Sequence, residues 1–355
     1  MMNFESGNTR ARFIYGTGTF ARDILDVLTR RGLKVNGFLD HSLRQPVIQQ
    51  LSVTLPDVIS LETRAASSII IGIHNRDANI AAIISRLKAL GFTQIITPID
   101  LYDEFVDDLG VRFWLTKRTY YGDYKEEIKL AANLFADEAS HDLYNRLIQF
   151  RLTGDYSILP NPDLEHQYFP ADIPAWKTPL RFVDCGAFDG DTLRDFEKFN
   201  IPLEAVAAFE PDQNNFKKLA KYVREKGIPN SFLWPCGVYS SSAQLKFSSG
   251  QGEASVISNA GTFAVQCVSL DEAIPNFNPT LIKMDIEGAE IEALRGAQRI
   301  IQKYKPGLAI SVYHAPAHLW EIPLLVEQMM PGAYRYYLRT HGFNDFDIVL
   351  YAIPI

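Results

Sequence analysis

Arg181-Phe-Val-Asp-Cys-Gly-Ala-Phe-Asp-Gly-Asp-Thr192 is the stretch whose reading decides the fold. A short apolar run closes at Asp184, Gly186 and Gly190 bracket a tight turn, and Asp191-Thr192 open an amphipathic segment. A strand, a glycine turn and a helix in that order expose bare backbone to a nucleotide-like ligand, here along Gly186, Ala187 and Gly190. A second apolar run, Ala205-Val-Ala-Ala-Phe-Glu210, ends in a carboxylate. In doubly wound sheets an acid at the tip of the second strand grips the two hydroxyls of a ribose. The two runs together predict a cofactor that carries adenosine.

Charge narrows the choice. The spacing Gly186-x-x-x-Gly190 departs from the GxGxxG cradle in which a helix N-terminus faces a pyrophosphate. An anion at this turn is expected to meet Asp184, Asp189 and Asp191. A sulfonium and an ammonium group would instead be attracted, by about 4 kcal/mol per pair at 4 Å and an effective dielectric near 20, before desolvation. The expected cofactor is therefore S-adenosylmethionine and not a dinucleotide. Asp191 could equally cap the helix, and Cys185 could equally fill core.

Working outward, strand patterns recur at 181–185, 205–210, 231–236, 280–285 and 307–313, with helices between most of them. Two further runs, Tyr334 to Arg339 and Asp345 to Tyr351, are joined by the short Thr340-His-Gly342 link, which forces antiparallel neighbours. The expectation is α/β, with a seven-stranded sheet of five parallel strands and a terminal antiparallel pair. Ligands sit outside the carboxyl ends of such strands. Glu210 is then expected at the ribose, with Pro211-Asp212 starting the next helix. Trp234-Pro-Cys-Gly-Val238, with Cys236 and Gly237, is expected beside the adenine. Asp285-Ile-Glu-Gly288 is expected to face the methionine end and the acceptor.

The 355 residues suggest two domains and a connector. Residues 1–100 read as a small Rossmann-like α/β domain, with strands at 12–16, 35–40, 68–73 and 94–97 and helices at 20–31 and 78–90. Its turn, Gly16-Thr-Gly-Thr-Phe-Ala21, is a GxGxxA pattern after a strand, with Asp40 near the position of a ribose acid. Gly16, Gly18 and Asp40 are its candidate ligand residues. Residues 101–176 read as a helical connector: Tyr124 to Phe150 is periodic, and a proline-aromatic stretch from Leu159 to Trp176 is expected to lie over the second domain. Residues 177–355 form the cofactor domain. Rings in the connector, including Phe113, Trp114, Tyr168 and Trp176, suit either packing or a sugar face, and the loop 168–176 is the preferred substrate wall.

A net charge of −7 argues against a nucleic-acid partner. Three scattered cysteines give neither a metal spacing nor a disulfide framework. Met1 to Arg10 lacks a signal-peptide core, and no run is long enough for a membrane span, so a cytoplasmic protein is expected.

Phe182-Val-Asp-Cys-Gly-Ala-Phe-Asp-Gly-Asp191, Phe209-Glu-Pro211, Lys283-Met-Asp-Ile-Glu-Gly-Ala-Glu290 and Leu294-Arg-Gly-Ala297 resemble the motif set of FkbM-type S-adenosylmethionine-dependent methyltransferases. The resemblance spans roughly 180–353. It implies a Rossmann-like methyltransferase fold and O-methylation of a hydroxyl on a sugar or secondary metabolite, here read as a sugar, glycan or related metabolite and so as polysaccharide modification. Ser311-Val-Tyr-His314 departs from the acidic ending often found on the fifth strand of that family. Residues 11–100, through Ile14-Tyr-Gly-Thr-Gly18, Val35-Asn-Gly-Phe-Leu-Asp40, Ile71-Gly-Ile-His-Asn75 and Leu87-Lys-Ala-Leu-Gly-Phe92, resemble the nucleotide-sugar-binding domain of bacterial sugar acyltransferases. That resemblance implies a nucleotide-sugar ligand. A ligand-free scaffold for docking or homo-oligomer contacts is the alternative.

A sugar hydroxyl is a poor nucleophile, so a base near the fourth and fifth strand ends is expected. Asp285 is preferred for cofactor positioning and Glu287 for the acceptor hydroxyl, with His314 as the rival base. Glu290, in the first turn of the next helix, reads as a dipole partner. His314 and His318 have a helical metal-ligand spacing, but Pro316 between them disfavours a helix, and no metal is expected. His74 and His166 read as surface or hydrogen-bonded residues. Two other functions remain: an NAD-dependent oxidoreductase or epimerase driven by the first domain, weakened because no Tyr-x-x-x-Lys pair follows that domain's strands within the same fold, and a nucleotide-sugar-binding protein with an inactive second half.

Overall fold

A computed structural model describes residues 10–42, 45–228, 230–249, 255–257 and 263–355. Residues 1–9, read above for a signal peptide, lie outside the described residues. The first sheet contains β1 (Arg12–Tyr15), β2 (Gly37–Leu39), β3 (Val47–Ile48), β4 (Leu51–Thr54), β5 (Ser68–Ile71) and β6 (Gln94–Ile96), in the order β3-β4-β2-β1-β5-β6. β1, β2, β4, β5 and β6 run parallel, and β3 pairs antiparallel with β4. The β3–β4 hairpin carries no Asn-Gly signal; Gln49 and Gln50 take up the two left-handed positions of its turn, with φ of 45° and 68°.

The connector's helical run divides at residues 133–137 into helices Lys125–Ala132 and Glu138–Thr153. Asp137 makes the break productive: its carboxylate accepts the Ser140 amide at 2.9 Å as an N-cap. Beyond this helix, Tyr168, Phe169, Ile173 and Trp176 pack with Phe182, Phe196, Val206 and Tyr351 on one face of the second sheet.

That sheet begins with β7 (Leu180–Cys185), β8 (Leu203–Phe209) and β9 (Ser231–Trp234). Alternation of strand and helix then stops. β10 (Gly237–Val238), β11 (Ala243–Ser249), β12 (Ser255–Ile257) and β13 (Phe263–Val268) form a separate four-stranded sheet, where the sequence reading had set no strand; the period-2 run Ala243-Gln-Leu-Lys-Phe247 is its local signal. The main sheet resumes with β14 (Leu281–Met284), β15 (Gly307–Ser311), β16 (Tyr334–Thr340) and β17 (Ile348–Pro354), giving the order β16-β17-β15-β14-β7-β8-β9. β17 lies antiparallel between β15 and β16. The last strand starts three residues later than expected, because His341–Asp347 form a longer loop. β7 sits between β8 and β14, so the chain order reverses there and opens a crevice at the carboxyl ends of both strands.

One continuous apolar core joins the first sheet, the connector and one face of the second sheet, and a second core fills the other face. Two polar anchors fix the loop 341–347 inside this arrangement. Asn344 donates to the carbonyls of Asn75 and Ala78 at 2.9 and 2.6 Å. Arg151, fully buried on the connector helix, holds the equally buried Asp345 through two bonds of 2.6 and 3.1 Å and donates to the Pro316 carbonyl at 2.9 Å. Removing one partner strands a buried charge. Arg151→Met should therefore destabilise the protein by about 3–5 kcal/mol in chemical denaturation, with much of the loss recovered in Arg151→Met/Asp345→Asn. An effect below about 1 kcal/mol would mean the pair contributes nothing.

Candidate functional site

The bend after β7 is built from backbone. Gly186 has φ +83°, and a Cβ there would collide with the Asp285 carbonyl oxygen; Gly190, at φ +90°, is the N-cap of helix Asp191–Lys198. The amides of Gly186 and Ala187 both donate to the Phe209 carbonyl at 3.0 Å, which lays the bend against the end of β8. Glu210 follows directly. It accepts the Phe188 amide at 2.9 Å and the Asp212 amide at 2.7 Å, one on each oxygen. Each oxygen keeps a second lone pair for a hydroxyl. Burial lifts the Glu210 carboxyl to about 7, and the two amides restrain the rise.

The three carboxylates expected to line this bend do not all do so. Asp184 is fully enclosed in the strand and paired with Lys283 at 2.9 Å, and the same ammonium donates to the Gly186 carbonyl at 2.8 Å. Burial lifts Asp184 to about 6, while the carboxylates around Lys283 overcome its own burial and keep it charged. Asp184 thus shapes the bend from beneath and cannot touch a ligand. Asp189 is neutralised by Arg194. Asp191 remains exposed, its carboxylate accepting the Thr192 amide at 2.9 Å. At the third strand end, the Trp234 ring stacks on Phe209 with centroids 5.9 Å apart, and its carbonyl accepts the Glu210 amide at 3.1 Å. Cys236 is buried, with its thiol pushed up to about 11 by burial, and Gly237 beside it is partly exposed. Pro211 is exposed beside Glu210. Bare backbone at Gly186 and Gly190, Glu210 at the second strand tip and open Asp191 fit an adenosine-bearing cation.

Across the crevice lie the residues that follow β14 and β15. Asp285 follows β14 and is about a quarter exposed. Its Oδ2 accepts the Tyr168 hydroxyl at 2.9 Å, and its Oδ1 lies 3.3 Å from His314 Nε2. Burial would raise its pKa, but His314, Lys283 and Tyr168 bring it below the usual carboxylate range. Glu287 is exposed, held at φ +54° in the turn, with Oε2 3.8 Å from His314 Nε2. On the other ring edge, His314 Nδ1 meets Glu290 Oε1 at 2.7 Å. Burial disfavours the imidazolium, yet Glu290, then Glu287 and Asp285, raise His314 to about 10. Its carboxylate neighbours thus favour the protonated ring, which counts against the role of rival base.

Glu290 is more than a helix-dipole partner. It is completely buried, accepts the Ile286 amide at 2.9 Å, and sits between His314 and His318, the latter 3.3 Å away. The two histidines converge on a carboxylate; among the described residues, no group of three or more metal-binding side chains is arranged for an ion. The loop 168–176 differs from the substrate wall read above: Tyr168 is buried with its hydroxyl on Asp285, and Trp176 lies flat under Gly307 while donating to the Tyr168 carbonyl at 2.7 Å. The ring that faces the site is Phe113 of the connector, with its centroid 6.0 Å from His314, 6.1 Å from Tyr313 and 5.3 Å from Phe346. His74 is no surface residue either: it lies among Phe20, Phe113, Trp114 and Phe346, and burial drops it to about 3. His166 stacks on Phe199.

In the first sheet, Gly16, Gly18 and Asp40 converge. Gly16 (φ +105°) donates to the Leu39 carbonyl at 2.8 Å, and Gly18 N-caps helix Thr19–Arg30. Ala21 packs so closely on Gly72 that no Cβ fits between them. Asp40 is held by Thr17 Oγ at 3.0 Å and the Ser42 amide at 2.9 Å.

Residues 184–344 match the model of the methyltransferase FkbM domain. The chain is similar in structure to methyltransferase FkbM from Methylobacillus flagellatus KT, over 98% of this chain and 90% of that one, at 23% identity and a TM-score of 0.77. At that coverage the shared fold includes the first sheet and the connector. Lesser similarity extends to a SAM-dependent methyltransferase from Aquifex aeolicus (14% identity, 51% of this chain, 85% of that chain, TM-score 0.31). Fibrillarin from Aeropyrum pernix with natively bound S-adenosyl-L-methionine gives 12% identity, 52% and 70% coverage, and a TM-score of 0.31. No curated protein matches the chain. Residues 184–344 thus match a methyltransferase FkbM domain, and the chain shares its fold with the Methylobacillus flagellatus protein along nearly its whole length.

Proposed function

We propose that the protein transfers a methyl group to a hydroxyl of a sugar, glycan or related metabolite. The observation that carries this reading is the acid–imidazolium group of Asp285, Glu287 and His314, gathered at the strand ends beside the cofactor bend. S-adenosylmethionine supplies an electrophilic methyl on a good leaving group. Glu210 is assigned to the ribose hydroxyls. The backbone of Gly186, Ala187 and Gly190, Asp191, Pro211 and the backbone of Cys236 and Gly237 form the surrounding contacts. Asp285, fixed by Tyr168, orients the methionine end. Glu287, exposed and next to the charged His314, accepts the acceptor's hydroxyl proton as the new carbon–oxygen bond forms, and His314 steadies the alkoxide charge on that oxygen.

The domain assignment follows the same division: 177–355 for methyl transfer, 101–176 for the acceptor side, and 1–100 for a nucleotide-linked sugar or for docking. The converged Gly16, Gly18 and Asp40 favour a ligand in the first domain, which is compatible with a sugar-modifying partner. The acidic charge disfavours a nucleic-acid acceptor. Among the described residues no helix is long and apolar enough to cross a membrane, and a cytoplasmic place of action is part of this proposal.

Titration with S-adenosylhomocysteine, NAD and UDP-sugars tests the assignment. Binding of NAD without S-adenosylhomocysteine would overturn it in favour of an oxidoreductase. Glu287→Gln should lower kcat by about 10²–10⁴-fold while S-adenosylhomocysteine affinity stays within twofold; equal loss of both would place Glu287 at the cofactor. Cofactor affinity should also depend on pH through Glu210. Hydroxyls bind the ionised carboxylate best, and the free protein holds a proton there up to about 7. The Kd for S-adenosylhomocysteine should therefore fall as pH rises from 6 to 8, by at most about tenfold per unit below the midpoint, and level off above it. Glu210→Gln should weaken binding and flatten this profile. A wild-type Kd constant from pH 6 to 8 contradicts the assignment.

A further inference from the structure

We propose that Arg76, contributed by the first domain, anchors an anionic group of the acceptor, so that the methylated hydroxyl belongs to an acid sugar bearing a carboxylate or a phosphate. The inference rests on the sugar-hydroxyl reading and narrows its substrate class.

Arg76 lies in the loop that follows β5, at the carboxyl end of the first sheet. Its carbonyl accepts the Phe343 amide at 2.8 Å, which fixes the loop against residues 341–347 of the methyltransferase domain. Its Nε lies 2.8 Å from Oδ2 of Asp347, a carboxylate almost completely buried beside Tyr313. The contact is an ion pair off the hydrogen-bond axis, since that oxygen has no aligned donor. Asp347 thereby holds one edge of the guanidinium. Half of the Arg76 side chain remains exposed, and a guanidinium that meets Asp347 through Nε has further N–H groups with which to hold a second partner. A planar fork of this kind matches a carboxylate or phosphate far better than a neutral hydroxyl.

Position links this fork to the reacting centre. Tyr313 is in contact with His314, with ring centroids 4.1 Å apart, and His314 lies 3.3 Å from Asp285. Phe113 borders the same space with a flat ring 6.1 Å from Tyr313. Tyr313 and Asp285 are near enough to Arg76 to reinforce its charge against the effect of burial. A hexose seated on Phe113 with its hydroxyl at Glu287 would project its substituents toward Arg76. Asp285, Glu287 and Asp347 outnumber the His314 imidazolium around this space, so an anionic acceptor gains from a further cation at its edge.

The test is calorimetric titration of the full-length protein, saturated with S-adenosylhomocysteine, against D-glucuronate, D-glucose 6-phosphate and D-glucose. At least one acid sugar should bind tenfold or more tightly than glucose, and which one does so identifies carboxylate or phosphate as the group held. Arg76→Gln/Asp347→Asn, which removes both charges and leaves no buried carboxylate unpaired, should erase that preference. Arg76→Lys should retain part of it. S-adenosylhomocysteine affinity and thermal stability serve as checks on folding in each variant. Equal binding of all three sugars, failure of both acid sugars to bind, or a preference that survives the double variant would overturn the proposal. Labelled-methyl transfer to neutral sugars that the double variant leaves undiminished would also overturn it while the sugar-methylation reading stands. Normal cofactor binding with no transfer to any sugar would remove both.

Discussion

The ion pair between Asp184 and Lys283 is the constraint on which the site depends. The two residues are direct neighbours in the parallel register of β7 and β14, at the ends of the strands where the crevice opens. Both are buried, so neither could be ionised there without the other; removing one of such a pair costs about 3–5 kcal/mol. The ammonium reaches beyond its partner to the Gly186 carbonyl. That third contact turns an element of strand pairing into a positioning device, because it pins the glycine bend to β14 and brings Gly186 against the Asp285 backbone. The glycine bend and Asp285 are thus held in one geometry by a single side chain.

This use of Asp184 changes the electrostatic account of the site. Its charge is spent inside the sheet, and that of Asp189 is spent on Arg194. The negative charge that remains at the crevice is that of Asp191 and of the cluster around His314. There Asp285, Glu287 and Glu290 surround one imidazolium, which leaves the group net negative. Glu290 is the stabilising member, fully enclosed and bonded to the ring at 2.7 Å. It raises the affinity of His314 for its proton, which favours stabilising negative charge over removing a proton.

What the sequence disclosed follows the distance over which each feature is encoded. The strand–bend–helix around Gly186, the acid at Glu210 and the antiparallel strand pair are local patterns, and each was legible. The Gln49-Gln50 hairpin was not, because two left-handed glutamines carry no compositional signal. The roles of Lys283 and Glu290 were hidden although both residues stand in the recognised motif, since the motif gives spacing and says nothing of which side of the strand end each side chain reaches. Tyr168 was read as a wall for its ring, whereas its hydroxyl holds Asp285. A tyrosine in a proline-rich loop carries no information about a carboxylate 117 residues away.

The first domain illustrates the same limit at a larger scale. Its glycine turn and Asp40 are readable as a ligand site of its own, which invites a description of two independent halves. The contacts across the loop 341–347 argue otherwise. Asn344 is held by the Asn75 and Ala78 carbonyls, Asp345 by Arg151 of the connector, and Asp347 by Arg76. Asn344, Asp345 and Asp347 all have positive φ, a backbone state that persists where surrounding contacts over-determine it. Each of these three residues therefore combines an unusual conformation with a polar contact to another part of the chain. The loop that follows β16 can hold its shape at the rim of the site only while the first domain and connector are docked against it. Because Tyr313 and His314 pack with Phe113 and Phe346 at that rim, the geometry around His314 is a property of all three segments together.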